Sequence, residues 1–494
     1  MIRPLVHALA PALALTLVAA YHAAAATPLI DAARRGDVAG VRVELQRGAD
    51  VNTVEADGTA ALHWAAYRDD VEIAEALLRA GARVDVANRY GVRPLSLAAT
   101  GGHAAIVRLL LEAGASPNTE QSDGETILML AARSGSVAAV EALLARGAAV
   151  DARESLRAQT ALMWAAAEGH DGVIRALVAK GADLTARSKN GFTPLLFAAR
   201  EGHRRAVATL LDLGSRLDES LAVSSTETAG GVAREQRQAN LDAFLLAASN
   251  AHFELAAYLL DRGANPNAAP RGWTALHLAS WVRKMGEAGS NDPPPQGSGN
   301  MTSLEFVKAL VAHGADVNAK VTARRLPVGS SQLNFVGATP FFLAARTADL
   351  ELMRLLIDLG ADAKIATADG TTPLMVAAGV GSALPGEEPG TESEALSALK
   401  MTLALGGDVN AIDATGNTAM HGAAYKHLPA VVQLLGTAGA KVEIWNRPNQ
   451  DGFTPLQIAA GIQRGMNFVF SLETAAAIRS LLGTSETTGT AARR

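Results

Sequence analysis

The chain has 494 residues, of which 49% are hydrophobic and only 4% aromatic, so alanine, leucine and valine supply most of the core. A single globular core does not usually grow to this length. The formal net charge of -5 is mild and argues against a nucleic-acid partner, which would favour a basic domain. The absence of cysteine excludes disulfides, thiolate metal sites and cysteine-linked haem, and no cofactor or metal is expected.

Residues 1–26 have the pattern of a secretory signal peptide. Arg3 supplies the positive start, residues 5–20 are apolar with two exceptions, and residues 24–26 offer a small-residue cleavage site. An uncleaved membrane anchor is the alternative, but the apolar run is short for a span of about 20 residues. We therefore expect export to the periplasm or the extracellular space, with no membrane span after cleavage.

A Gly-Ala pair recurs through the first half of the chain at a nearly constant interval. Successive glycines lie 33, 33, 33 and 34 residues apart, at Gly48, Gly81, Gly114, Gly147 and Gly181. A period near 33 residues is typical of stacked two-helix repeats, in which each unit packs only on its neighbours. Because such a solenoid presents an extended surface, function is expected on that surface rather than in an enzyme pocket.

One unit in the middle of the chain shows the local signals most clearly. Asn190-Gly191 predicts a tight turn. Thr193 is placed to cap a helix that begins at Pro194, where the missing N–H costs nothing. Gly202 predicts the end of that helix in a left-handed conformation. A second helix, with paired leucines, follows.

This unit resembles the ankyrin repeat, whose pattern runs roughly D-G-x-T-P-L-H-x-A-A-x-x-G-H, a second helix, then G-A-D-V-N. Residues 274–279 (TALHLA) and 314–318 (GADVN) fit that pattern closely. The resemblance covers nearly the whole chain after the signal. It predicts about twelve units that start near residues 27, 57, 90, 123, 157, 190, 239, 271, 335, 369, 415 and 451.

The resemblance implies an all-α solenoid of stacked ankyrin repeats. Each unit is expected to be a helix-turn-helix with a projecting β-hairpin finger, and the first helices are expected to lie toward a concave groove. Residues 27–217 form regular repeats, and residues 218–483 form repeats with insertions in the same continuous solenoid. The polar tail, residues 484–494, is expected to be disordered.

The regular period breaks after Gly214, where five of the next six intervals lengthen to between 44 and 51 residues. Two of the added segments, 218–238 and 320–338, interrupt finger connections. The other three interrupt the turn between the two helices of a unit, at residues 284–302, 380–394 and 462–472. Insertions of this kind are often part of a binding surface, although long surface loops are also tolerated as neutral additions.

Six histidines fall at two fixed positions of the repeat. Three lie in Gly-His turns and three at the start of a first helix. The ankyrin pattern explains them as structural hydrogen-bonding residues, and they lie a repeat or more apart, so we do not expect a catalytic group from His63, His103, His170, His203, His277 and His421.

The position that follows the Ala-Ala pair of each first helix is the sharper signal. It holds Arg34, Arg133, Arg200 and Arg346, and Tyr67 shares it. In an ankyrin fold this position lies toward the groove, where arginines could form a cationic track for carboxylate or phosphate. The alternative is a variable, solvated position with acidic neighbours.

Large aromatic side chains are the second set of candidates. Trp64 and Trp164 occupy a first-helix position that is usually leucine, so most of each ring is expected in the core. Phe192 and Trp273 follow a finger glycine, where the family exposes variable residues. Because Trp anchors protein interfaces, Trp273 and Trp281, which share one repeat with an insertion, indicate a unit that contacts a partner.

The leading hypothesis is an exported, monomeric, non-catalytic protein that binds another protein through the groove, the fingers and the C-terminal insertions. It would act as a scaffold, a chaperone or an inhibitor. One alternative is a small-molecule or polyanion binder that uses the arginine track. Another is an enzyme with its site in the inserted loops, where Asp292, Glu387 and Glu388 are the acidic candidates; no recognised catalytic motif accompanies them.

Overall fold

The computed structural model describes residues 27–121, 123–221, 240–284, 295–324, 333–382, 391–461 and 470–483. The signal segment 1–26 and the tail 484–494 lie outside these ranges. The chain divides into two compact units, Met1–Leu246 and Ala247–Arg494. In the described part of the chain there are 25 helices and no strands, so the prediction of an all-α repeat fold is confirmed.

The first unit contains six successive helix pairs, each made of a short first helix and a second helix. They are α1 (Pro28–Arg35), α2 (Val38–Gln46), α3 (Ala61–Arg68), α4 (Val71–Arg79), α5 (Pro94–Gly101), α6 (Ala104–Glu112), α7 (Ile127–Ser134), α8 (Val137–Ala145), α9 (Ala161–Ala167), α10 (Asp171–Val178), α11 (Pro194–Glu201) and α12 (Arg204–Asp212). Helix α13 (Ala243–Ser249) crosses the boundary to the second unit.

The second unit continues with α14 (Phe253–Asp261), α15 (Ala275–Arg283), α16 (Ser303–Ala312), α17 (Pro340–Arg346), α18 (Leu350–Asp358), α19 (Pro373–Ala377), α20 (Glu392–Ala404), α21 (Ala419–Tyr425), α22 (Pro429–Thr437), α23 (Val442–Trp445), α24 (Pro455–Ala459) and α25 (Leu472–Leu482). Apart from the short α23, the described helices fall in chain order into twelve pairs, as the repeat count predicts.

The first helix of each pair starts and stops where the sequence signals place it. The Thr193 hydroxyl accepts a hydrogen bond from the Leu196 N–H at 3.3 Å, Pro194 occupies the first helical position, and Gly202 ends α11 with φ of 79°. Left-handed glycine satisfies the last carbonyls of the helix at no steric cost. Where threonine is absent, another side chain caps the helix: the Arg93 N–H donates to the Ser96 hydroxyl at 3.0 Å.

Helices of like kind pack together in the first unit. First helices α1, α3, α5, α7, α9 and α11 contact one another in sequence and form one layer; second helices form the other. Ala65 and Ala66 of α3 are fully buried between neighbours, as is Leu77 of α4. Small alanines let the first helices approach closely, which explains why the core contains so few aromatic rings.

In several repeats an asparagine joins one Gly-Ala turn to the next. The Asn52 amide donates to the Gly81 carbonyl at 3.2 Å and accepts from the Arg83 N–H at 2.8 Å. Asn118 contacts the following turn in the same way. This pair of bonds explains the last letter of the G-A-D-V-N pattern, because an amide can donate and accept at once.

The fingers are tight turns rather than ladders of strand. Within the described residues, pairing is limited to isolated antiparallel bridges such as Val54 with Ala60 and Glu120 with Thr126. Most of these turns close on a left-handed glycine, for example Gly58 with φ of 84°, whereas Ala158 and Asn240 take the left-handed conformation in two others. The finger is therefore short, and the residues near its glycine decide what it presents.

Two of the predicted turn insertions can be compared with the helix bounds. Residues 284–302 lie between α15 and α16. Of residues 380–394, only 380–391 lie between α19 and α20, because Glu392 already begins α20. Parts of all five predicted insertions lie outside the described residues. Both first helices that precede the later turn insertions, α19 and α24, have only five residues, whereas second helix α20 extends to 13. The earlier turn insertion, at 284–302, follows a first helix of nine residues, so an insertion does not always accompany a short first helix.

Candidate functional site

The side chains of first helices and fingers in the first unit form a set of arginine–aromatic stacks. In the first stack, the Arg34 guanidinium lies 5.0 Å from the centre of the Trp64 ring. Tyr67 meets the same indole edge-on, with ring centres 6.3 Å apart. Trp64 is half-buried and Tyr67 is 49% exposed. The stack therefore holds an exposed tyrosine against a fixed partner.

A finger carboxylate closes this first stack. Glu55 accepts hydrogen bonds from the Arg34 guanidinium and, at 3.2 Å, from the Trp64 indole N–H. Arg34 also donates to Asp31 at 3.0 Å. Because two carboxylates neutralise it, Arg34 does not act as a free cation.

A second stack forms three repeats later. The Arg133 guanidinium lies 4.8 Å from the centre of the Trp164 ring, and both side chains are half-buried. The geometry repeats that of Arg34 and Trp64 because each arginine follows an Ala-Ala pair and each tryptophan occupies the same position on the next first helix. This recurrence brings together two pairs of residues that the sequence had singled out separately.

Arg200 belongs to a third stack, which is mostly buried. Its guanidinium lies 4.9 Å from the Phe192 ring and 5.0 Å from the Phe197 ring, and it pairs with Glu201 at 2.7 Å. Phe192 itself is only 2% exposed. The expectation that Phe192 is exposed on the finger is wrong, because the ring turns inward onto Phe197 instead of out from the turn.

Two candidates in the second unit are also buried. Trp273 is 2% exposed and Arg346 is 9% exposed, with the Arg346 guanidinium 5.5 Å from the Phe335 ring. The expectations that Trp273 is displayed to a partner and that Arg346 lines an open track are therefore wrong. Trp281 lies in α15, but its side chain is outside the described residues.

These contacts do not support a continuous cationic track. Arg34 and Arg200 are paired with carboxylates in the first unit, and Arg346 in the second unit is buried. Arg133 is stacked on a ring and forms no ion pair with a carboxylate among the described residues.

One exposed aromatic residue escaped the sequence reasoning. Tyr90 is 44% exposed, and its hydroxyl accepts a hydrogen bond of 2.6 Å from Arg89, whose guanidinium lies 4.8 Å from the tyrosine ring. Tyr90 precedes the finger glycine Gly91, whereas Phe192 and Trp273 follow theirs. In these fingers the position before the glycine points outward, a signal that the repeat alignment alone could have provided.

We define the aromatic–arginine surface as the stacks and exposed rings of the first unit that remain accessible. Its members share first-helix or finger positions: Arg34, Trp64, Tyr67, Arg89, Tyr90, Arg133 and Trp164.

The helix-start histidines are structural, as predicted. The His277 Nδ1 accepts from the Thr274 N–H at 3.1 Å, and Nε2 lies 3.3 Å from the Ala338 carbonyl in the next repeat. His421 is bonded in the same way, and burial lowers the pKa of both histidines to about 4. Each imidazole is therefore neutral and acts as a cap and an inter-repeat link.

Side chains at the turn edge of the second unit form an ion-pair cluster. Arg283 donates to Asp349 at 2.6 and 3.1 Å and to Glu351 at 3.1 Å. Lys284 donates to Glu394 at 2.8 Å and thereby holds the pKa of that carboxyl below its usual range. These bonds tie three successive repeats together at the turn edge.

The acidic candidates for an enzyme site, Asp292, Glu387 and Glu388, lie outside the described residues. In the ranges that are described, no three histidine or carboxylate side chains are arranged to hold a metal ion. Among the helices that the structure describes, none combines the length and the apolar character needed to cross a bilayer.

Comparison with known families agrees with the geometry. The family model described as "Ankyrin repeats (3 copies)" matches residues 13–88, 29–121, 62–154, 128–220 and 298–383. "Ankyrin repeats (many copies)" matches residues 244–282, and "Ankyrin repeat" matches residues 271–321. The chain belongs to the ankyrin repeat family. Ankyrin repeats generally mediate protein–protein interaction and are typically non-catalytic.

Among solved structures, the chain is similar to one titled "Crystal structure of human ASB11 ankyrin repeat domain". The two share 27% sequence identity, and the match covers 49% of this chain and 100% of that chain with a TM-score of 0.42.

Proposed function

We propose that this chain is a non-catalytic protein-binding module and that the aromatic–arginine surface of its first unit is the binding surface. The observation that carries the proposal is the row of ordered aromatic rings at repeat positions that face outward. Tyr67 and Tyr90 are both exposed, and each is held by a neighbouring residue, Trp64 or Arg89. Tyr, Trp and Arg are the residues that most often anchor protein interfaces.

The two exposed tyrosines are already held in place before a partner binds, which supports a role in binding. A tyrosine that already packs on an indole or bonds an arginine loses little side-chain freedom when a partner arrives. The rings stand on helices and short turns that pack into a rigid layer, so binding is expected with little change of shape. The hydrophobic body and the hydroxyl of each tyrosine allow both apolar and hydrogen-bonded contacts.

The proposal includes a location and a role. We propose that the mature chain is monomeric and works in the cell envelope or the extracellular space as a scaffold, a chaperone or an inhibitor. The signal-like residues 1–26 support export. The absence of cysteine from all 494 residues is compatible with an oxidising compartment. Fractionation of the producing cells, with the N-terminus of the protein sequenced, tests this part: an intact Met1 in the cytosol would contradict it.

The binding surface is tested by purifying partners from an envelope extract with the mature chain and with a Tyr67→Ser/Tyr90→Ser variant. We expect the partner to be lost or weakened by roughly thirtyfold or more, since an aromatic hot spot contributes more than about 1 kcal/mol and the variant removes two. The matched control is Val43→Ser, which changes a residue that is also exposed but lies on second helix α2. Equal recovery by all three proteins would remove the aromatic–arginine surface from consideration.

A further inference from the structure

The two arginine–tryptophan stacks of the first unit differ in one respect: the first contains a carboxylate and the second does not. In the first, Glu55 accepts from Arg34 through one oxygen and from the Trp64 indole N–H through the other. The Glu55 carboxylate thus satisfies both donors of the stack, the guanidinium and the indole N–H. The first stack shows what a completed site of this kind looks like in this fold.

The second stack has the same two donors but lacks the acceptor. The indole N–H of Trp164 is buried and has no hydrogen-bond partner among the described residues. No described carboxylate forms an ion pair with Arg133. Glu125 interacts with it only electrostatically, over a longer distance. Buried donors are almost always satisfied in folded proteins, so an unpaired N–H beside a stacked guanidinium requires an explanation.

The sequence of the finger explains why the acceptor is missing. Glu154 corresponds to Glu55, because its N–H bonds the Gln159 carbonyl as that of Glu55 bonds Thr59. This finger is one residue longer, with Ala158 at a positive φ of 54°. The longer turn directs its own N–H groups onto the Glu154 carboxylate, which accepts from Leu156 at 2.7 Å and from Gln159 at 2.9 Å.

We infer that Arg133 and Trp164 form a subsite for a carboxylate supplied by the bound protein, in the place that Glu55 occupies beside Arg34 and Trp64. The inference rests on the proposed protein-binding function and names the chemistry of one contact: an aspartate or glutamate side chain, or a C-terminal carboxylate. The guanidinium and the indole N–H are both donors. A carboxylate has two acceptor oxygens and satisfies both, whereas an amide accepts through one oxygen and sets its NH₂ against the other donor.

We expect the ligand to enter through a movement of the Arg133 side chain. The Arg133 guanidinium lies on the Trp164 ring and helps to cover it, and it stands on a flexible stem at the half-exposed end of α7. The first stack shows that a guanidinium can keep its place on the ring while it binds a carboxylate.

The test uses the five indole N–H resonances of the full chain, labelled with nitrogen-15 at its five tryptophans and assigned with Trp→Phe variants. The probes are the blocked amino acids N-acetyl-glutamate N-methylamide and N-acetyl-glutamine N-methylamide, with succinate and N-acetyl-alanine to separate side-chain from terminal carboxylates. Inorganic phosphate at matched ionic strength is the fifth probe. We expect the glutamate compound to shift the Trp164 resonance and the glutamine compound to leave it unmoved.

Matched variants exploit the internal duplicate. Arg133→Gln should weaken the response at Trp164 roughly tenfold, the loss expected for one charge-assisted hydrogen bond. In the unmodified chain the Trp64 resonance should not shift, because the Trp64 indole N–H already donates to Glu55. Glu55→Ala should open that stack and make the Trp64 resonance respond to glutamate as Trp164 does.

The outcomes separate the subsite from the broader function. If the glutamine compound shifts Trp164 as strongly as the glutamate compound, or if only phosphate does so, the carboxylate subsite is overturned. If Trp164 shows no response while Glu55→Ala makes Trp64 respond, the second stack is not a site although the chemistry is sound. If the subsite binds glutamate but no protein is captured from the envelope extract, the proposed function fails and the subsite survives.

Discussion

Lys284 and Glu394 lie 110 residues apart in the chain, yet the lysine Nζ is 2.8 Å from the glutamate carboxylate. The lysine follows the first helix of one repeat and the glutamate begins the second helix of a repeat two positions further on. The same lysine donates to the Ala348 carbonyl of the repeat between them at 3.2 Å. Three repeats of the second unit are therefore joined by one side chain.

Lys284→Met should lower the free energy of unfolding by about 0.5–1 kcal/mol at pH 7, because both partners are partly exposed and solvent weakens the pair. The ion pair lowers the Glu394 pKa in the folded protein, so its contribution is present above the unfolded pKa of about 4.3 and is lost as pH falls through the folded value. Urea denaturation at pH 7 and at about pH 3 measures both effects. Lys308→Met, on the exposed surface of α16, serves as the control, and an equal loss in that variant would show that the pair contributes nothing particular.

Arg283→Met should be more damaging than Lys284→Met. The Asp349 carboxylate that Arg283 binds is 2% exposed, and removing the arginine leaves a buried charge uncompensated. We expect a loss of about 3 kcal/mol, measured by the same urea titration. The double variant Arg283→Met/Asp349→Asn should recover part of that loss, since it also removes the stranded charge. No recovery would indicate that packing of the arginine stem, rather than charge, is what matters.

Stability should fall as pH drops from about 6.5 toward 4. The pKa of His277 and of His421 is lowered to about 4 by burial, whereas an unfolded histidine titrates near 6.5. Between these pH values the unfolded chain binds more protons than the folded chain. Each of the two histidines therefore lowers the free energy of unfolding by up to about 1.4 kcal/mol per pH unit as the pH falls. Thermal unfolding across this range should show a shallower slope for His277→Gln/His421→Gln; an unchanged slope would mean that other groups control the acid sensitivity.

Trp273→Ala should unfold its repeat rather than merely weaken a contact surface. The ring is 2% exposed, and truncation of a buried aromatic costs about 3–5 kcal/mol. Tyr67→Ser, at an exposed position, should stay within about 0.5 kcal/mol of the unmodified protein. Chemical denaturation distinguishes the two variants. A Trp273→Ala protein of unchanged stability would restore this residue as a candidate for direct contact.

The sequence predicts the repeat architecture well because the repeat signals are local. Thr193, Pro194 and Gly202 define a helix through interactions within a few residues, and the structure has that helix where the sequence places it. Insertions are equally easy to locate, since they change the interval between Gly-Ala turns. These features require no knowledge of neighbouring repeats.

The candidate surface is harder to predict because its contacts cross from one repeat to the next. Arg133 and Trp164 are 31 positions apart, and nothing in their local sequence shows that one lies on the other. The inward turn of Phe192 depends on Phe197 and Arg200. The Glu154 carboxylate bonds N–H groups of its own finger because that finger has one additional residue. The repeat pattern of the sequence does not show these hydrogen bonds.

The asparagine that joins successive Gly-Ala turns has a consequence for how such a chain can grow. Asn52 contacts only main-chain atoms of Gly81 and Arg83, so the joint is indifferent to the side chains that the following repeat carries. Where this asparagine is present, a whole repeat could be copied, deleted or exchanged during evolution and still be accepted by its neighbour, provided that it kept the Gly-Ala turn and the packed faces of its helices. Residues such as Tyr67 and Trp164 are then free to diversify, and one rigid frame can acquire new partners without new joints.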